Sequence, residues 1–165
     1  MVIYVGDSQN VINRILINHC RGNIGGSALR KHVAQAMGYE IKSTRRPSGS
    51  TRVQINLLNP REGESRVSNY IRSGEWRYII CDSCKEAHDF QWYAIEQLKP
   101  LLNKDFQSWD DNNLQKYQIL LTQLRNSPAS SCTQLKGMQS GPGVYVLYHK
   151  REPKRGRQER SGTIC

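Results

Sequence analysis

Apolar positions along this chain fall into short runs of two different periods. VIYVG (2–6) is a continuous, β-branched run closed by a glycine, which predicts a buried strand. Asp7 or Ser8 then offers a helix cap, and Val11, Ile12, Ile15 and Leu16 recur at helical spacing until Gly22. A second helix follows, with Ser27 as its cap and Leu29, Val33 and Ala36 or Met37 as its stripe. Residues 42–52, KSTRRPSGSTR, carry loop chemistry, with a short strand at TRVQINL beside them. Beyond Pro60 the spacing predicts a helix through Val67, Tyr70 and Ile71, a strand at EWRYIICD, and a helix over KEAHDFQWYAIEQLKPLL that Pro100 ends. Residues 110–126 read as a further amphipathic helix through Leu114, Tyr117, Leu121 and Leu124, and a small-residue linker leads to a last strand at 143–149, within GVYVLYHK.

The pattern is α/β, with a small central sheet of about three strands, mixed or antiparallel, flanked by helices. A chain of 165 residues holds one domain with a real core, read here as 1–149, and a basic, disordered tail over 150–165. No apolar run approaches the roughly 20 residues that span a bilayer, and the first residues lack a secretory layout, so a cytoplasmic protein without membrane contact is expected.

Charge narrows the partners. Twenty-four Lys/Arg against 14 Asp/Glu give a formal charge of +10, which points to a polyanion, nucleic acid first. The excess is concentrated in 42–52, with Lys42, Arg45, Arg46 and Arg52, and in KREPKRGRQER (150–160). With Ser48 in the first stretch, and Arg21, Arg30 and Lys31 near the second helix, these residues are candidate DNA contacts. The cysteines are Cys20, Cys81, Cys84, Cys132 and Cys165, an odd count that argues for free thiols. Cys81 and Cys84 have the C-x-x-C spacing of a zinc site but lack a second pair, so a strand running into a turn explains them more simply.

The two tyrosine-bearing strands carry a resemblance. VIYVGDSQNVINRILINH resembles the second half of a GIY-YIG nuclease core, a strand ending in Tyr-x-Gly followed by a helix with an Arg one turn in. GPGVYVLY resembles the first half, and IEQLKPLLNK matches the Leu-x-Pro-x-x-Asn turn that closes the family's domain. The order is reversed relative to the family, where the GIY strand comes first and pairs with the YIG strand as a hairpin. This implies a circular permutant opened inside the hairpin loop; tandem fragments or a domain swap would read the same way.

The resemblance implies a metal-dependent DNA endonuclease, site-specific or not, acting on single- or double-stranded DNA with Mg²⁺ or Mn²⁺, and a homodimer or two visits for duplex cleavage. It makes Tyr145 the residue assisting the attacking water, with Tyr4 beside it, and Arg14 the contact to the scissile phosphate. The family's next position, a His or Tyr four residues after the Arg, is Asn18 here, while His19 falls at plus five, about 500° round an α-helix. Asn103 matches the family's supporting Asn. The family's metal-binding Glu corresponds to Gln91, a neutral amide poorly suited to a hard cation. Three explanations fit: a relative that binds without cutting, another acid such as Asp89 or Glu96 in its place, or an introduced Glu→Gln change that inactivates the enzyme, which the intact Tyr, Arg and Asn positions favour. A non-catalytic DNA-binding protein of the same fold is the alternative function.

Overall fold

The computed structural model describes residues 1–155. Strand β1 (Val2–Ser8) leads into one α-helical turn, α1 (Val11–Asn13), which continues as a π-helix, Arg14–Cys20. Then come α2 (Ala28–Ala36), the strands β2 (Ile41–Arg45) and β3 (Thr51–Ile55), α3 (Pro60–Arg72), β4 (Glu75–Ile80), α4 (Cys84–Leu98), α5 (Leu114–Asn126) and β5 (Gly143–Tyr148).

The main sheet has the order β1-β5-β4, antiparallel throughout. β5 is its centre, and it separates two cores. Tyr145 and Leu147 face one core with Ile15, Leu29, Val67, Ile71 and Trp76. Val144 and Val146 face the other with Val5, Phe90, Tyr93, Tyr117 and Leu124. Burial on both faces is why GVYVLY has no polar alternation. The result is three layers, with the π-helix, α2 and α3 on one side of the sheet and α4 and α5 on the other.

Caps explain most boundaries. β1 runs on to Ser8, so Asp7 and Ser8 are still paired with Val144 and Gly143, and the first helix is capped by Asn10 instead of the predicted Asp7 or Ser8. Ser27 caps α2, Ser83 caps α4, and Asn59 caps α3 with Pro60 in its first turn. Lys99, at φ 48°, turns the chain out of α4. Leu101 and Leu102 then donate their N–H groups to the carbonyls of Val2 and Ile3, covering the outer edge of β1.

Several expectations are corrected. Residues 42–52 are a β-ribbon, with Thr44 opposite Arg52 and Arg45 opposite Thr51 around a turn containing Gly49. The strand expected at TRVQINL is β3; its partner β2 is hidden in the sequence because its far half is exposed, so no apolar alternation marks it. Cys20 and Cys132 form a disulfide across a sequence separation of 112, a proximity that only the folded chain creates, while Cys81 and Cys84 are free. The start of the expected tail is packed: Tyr70 Oη donates to the Arg151 carbonyl, and Pro153 is buried. Residues 156–165 lie outside the described residues.

Candidate active site

The first half of the site is built by three deviations from regular structure. Between Val2 and Tyr4 the β1–β5 register shifts, so that Ile3 is an extra residue and Tyr4 joins it on the same face of the sheet. Gly6 sits opposite Tyr145, where a Cβ would lie 2.5 Å from the phenolic oxygen, so only glycine leaves room for that hydroxyl. The π-helix supplies the third deviation. Its wider turn brings residue i+5 over residue i, and His19 is therefore presented on the same side as Arg14. The five-residue spacing that misaligns these residues on an α-helix is the right one here, and His19 rather than Asn18 occupies the site.

His19 is fully buried, and both ring nitrogens are used: Nδ1 is 2.7 Å from Ser27 Oγ and Nε2 is 2.7 Å from Tyr145 Oη. Ser27 Oγ already accepts the Arg30 N–H, which frees its own proton for Nδ1 and leaves Nε2–H to donate to Tyr145. The other tautomer reverses the direction of both bonds. Burial, reinforced by the Arg14 and Arg30 charges, pushes the His19 pKa down to about 3, so the imidazole is neutral at neutral pH. Trp76 stacks on the ring at 5.9 Å, and Tyr4 meets it edge-on at 6.2 Å.

The two tyrosines differ in access. Tyr145 is 2% exposed, and burial raises its pKa far beyond the ordinary tyrosine range, against the opposing effect of a hydrogen bond from Arg14. Tyr4 is half-buried; its pKa is also raised by burial, with Arg14 pulling it down. Arg14 is anchored by Nη1 to the Gly26 carbonyl at 3.3 Å and stays partly open to solvent. A planar cation acting on two phenols, one of them only partly buried, can hold a phosphoryl oxygen and a water together.

The second half lies on α4. Gln91 is 7% exposed, and its Nε2 is 3.1 Å from His88 Nδ1. His88 Nδ1 in turn is 3.4 Å from the Asp7 carboxylate. Asp7 follows Gly6 directly in β1, and its charge raises the pKa of both Tyr4 and Tyr145. It therefore joins the two halves, a role missed in the sequence because Asp7 reads there as a helix cap. The acids suggested as replacements are engaged elsewhere: Asp89 accepts from Tyr117 Oη and Asp110 N–H, and Glu96 accepts from Trp109 Nε1. Asn103 is a strand substitute: its side chain accepts from Val5 N–H and donates to the Val5 carbonyl, both at 2.9 Å.

One amide, one imidazole and one carboxylate do not fit a hard divalent cation, which favours several anionic oxygens. Among the described residues no group of three or more His, Cys, Asp or Glu could hold a metal ion.

Of the candidate DNA contacts, Arg21, Lys31, Arg45, Arg46, Ser48 and Arg52 are exposed and Lys42 is partly so. Arg30 is not a surface contact. It is 0% exposed, bound to Glu64 at 2.6 Å and to the His19 carbonyl at 2.8 Å, and so supports the site from within.

Residues 1–127 match the family described as the GIY-YIG catalytic domain. The chain belongs to that nuclease family. Comparison with curated proteins and with solved structures found no match. The matched span contains the YVG strand, Arg14, His19, Gln91 and Asn103, while β5 lies outside it. Nucleases of the GIY-YIG family generally depend on a divalent metal. No helix among the described residues is long and apolar enough to cross a membrane.

Proposed function

We propose that this protein is a GIY-YIG endonuclease of DNA whose hydrolytic half is intact and whose metal half is one carboxylate short, so that with Gln91 it binds DNA without cutting it. The observation that carries this reading is the π-helix, which brings His19 to Tyr145 beside Arg14 although its spacing looks wrong. Arg14 holds the scissile phosphate. Tyr4, the less buried of the two tyrosines, assists the attacking water, while the buried Tyr145, bonded to His19 and Arg14, holds Arg14 in place, a different division of labour from the one implied by motif resemblance alone. Asp7 and position 91 are the metal-facing pair, and Mg²⁺ or Mn²⁺ is the cofactor of a form with a carboxylate at that position.

Circular permutation is part of this proposal. It is supported by the pairing of β5 with β1 and by the reciprocal hydrogen bonds between Met1 and His149, which place the two strand ends side by side. The β2–β3 ribbon, with Lys42, Arg45, Arg46 and Arg52, grips the DNA. A two-stranded ribbon is admitted by a major groove, which favours duplex substrate. One site cuts one strand, so a double-strand break takes a homodimer or two encounters.

The test is cleavage of labelled single- and double-stranded DNA with Mg²⁺ or Mn²⁺, comparing the chain with Gln91→Glu. Metal-dependent cutting by the substituted protein, at least about a hundredfold above the parent, is expected; one carboxylate on a catalytic cation is worth a few kcal/mol of barrier. If both proteins bind DNA and neither cuts, the fold has become a binding module, the reading that the neutral residue at 91 favours as second choice.

A further inference from the structure

On the far side of the π-helix from Gln91 there is a second concavity, about 330 Å³ in volume, between the end of that helix and α3. Its wall on α3 is a polar stripe at helical spacing, Arg61, Ser65, Ser68 and Arg72, with Asn69 beside them; Arg21 closes the other side. A polar stripe is ordinarily no more than the solvated face of an amphipathic helix. Three features distinguish this one.

The pocket is strongly cationic. Glu64, the acid in its lining, is already consumed: Oε2 pairs with Arg30 and Oε1 accepts the Ile24 N–H at 2.9 Å. Among the described residues, Arg21, Arg61 and Arg72 take part in no ion pair. The pocket is also braced, because Arg72 Nε donates to the Cys20 carbonyl at 2.9 Å and Arg30 Nη1 to the His19 carbonyl. Lastly, Arg30 reaches the pocket wall fully buried, and its Nε–H has no partner among the described residues. A buried, unpartnered donor on a charged group is costly and calls for an acceptor.

We propose that this pocket binds a phosphate group of the nucleic-acid backbone, away from the scissile one, and so fixes the register of the strand on the enzyme. Guanidinium groups with hydroxyl and amide donors are the chemistry that recognises phosphate oxygens, and the volume admits a phosphate with its flanking sugars. The source is the backbone because the pocket adjoins the reacting groups: Arg21 follows His19 by two residues, and the two braced arginines hold the carbonyls of His19 and Cys20. The inference rests on the nuclease reading for its ligand.

The experiment uses the chain with Gln91, so that binding is read without cleavage. Affinity for a fluorescein-labelled DNA is measured from about 50 to 200 mM salt for the parent, Arg61→Ala, and Arg21→Ala/Arg61→Ala. Expected is a loss of about tenfold per arginine and a fall in the salt slope of about 0.9 for the phosphate contact removed. Circular dichroism and the thermal midpoint establish that the variants fold; Arg61→Lys, which keeps charge without the planar fork, should lose affinity and retain most of the slope. Unchanged affinity and slope in folded variants overturn the proposal. In parallel, inorganic phosphate is titrated into parent and double variant and followed by the thermal midpoint. Stabilisation of the parent alone, with DNA binding unaltered in the variants, means a free-phosphate site and overturns the backbone assignment. Cleavage by the Gln91→Glu protein is scored separately, so failure of the pocket and failure of the nuclease reading are distinguishable.

Discussion

The two halves of the site are built to different standards. Around His19 every ring nitrogen has a partner, the residue is wholly buried, and its neighbours are packed aromatics. Around position 91 the contacts are sparse, and the His88 side chain is 59% exposed. Buried polar networks are stabilising when complete and costly when broken, whereas a rim of exposed polar groups contributes little either way. The chain therefore keeps the His19–Tyr145 network as part of its own stability. Position 91 is itself buried, but its partner His88 opens to solvent, so that side is less completely enclosed than the surroundings of His19.

That contrast can be broken most severely at His19. His19→Ala should cost about 4 kcal/mol in urea unfolding, combining a cavity with two unmet partners, Ser27 and Tyr145. A loss below about 1 kcal/mol would show that the network is not a structural element.

Acid probes the same residue. Its folded pKa, about 3, lies below the ordinary 6.5, so the unfolded chain takes up a proton that the folded chain refuses. The contribution is complete above pH 6.5 and declines as pH falls toward about 3, by about 1.4 kcal/mol per unit. His19→Gln, which keeps hydrogen-bonding capacity without titrating, should flatten this dependence by about 2 kcal/mol between about pH 6.5 and 4.5. Measuring unfolding free energy at both pH values for the two proteins isolates His19 from His32 and His149, whose pKa values are also lowered, chiefly by burial.

Gly6→Ala is next, at about 2 kcal/mol, because its methyl group would displace the Tyr145 hydroxyl from His19. Loss of the protected Tyr145 hydroxyl resonance by NMR would accompany it. Smallest is His88→Ala, expected within about 0.5 kcal/mol. A cost above about 1.5 kcal/mol there would mean that the surroundings of His88 are as firmly organised as those of His19.

How much of this was legible in the sequence follows from the kind of information each feature needs. The helices α3, α4 and α5 are marked by periodic apolar residues, and β5 by its unbroken apolar run. In the ribbon, β3 is signalled by TRVQINL, whereas β2 is not marked, because its far half is exposed and has no apolar alternation to display. Arg30 reads as a surface cation, and only the fold reveals that Glu64, thirty-four positions away, and the His19 carbonyl enclose it. The Cys20–Cys132 pairing likewise depends on tertiary proximity. Among the site residues, Tyr4, Arg14, Tyr145 and Asn103 stand in recognisable motifs. His19 does not, since an α-helical ruler misplaces it and no local signal announces a π-helix. Asp7 is hidden by a stronger competing role as a cap.

The position of β5 bears on how the protein is made. It is the shared neighbour of β1 and β4, yet it is synthesised after both. During translation those two strands emerge with no sheet to join, and each leaves the ribosome with its edges unpaired. Closing the sheet then requires contacts between positions nearly the whole chain apart, an arrangement that folds slowly and exposes sticky intermediates. A nascent chain therefore lacks Tyr145, and with it the partner of His19 Nε2, until β5 arrives.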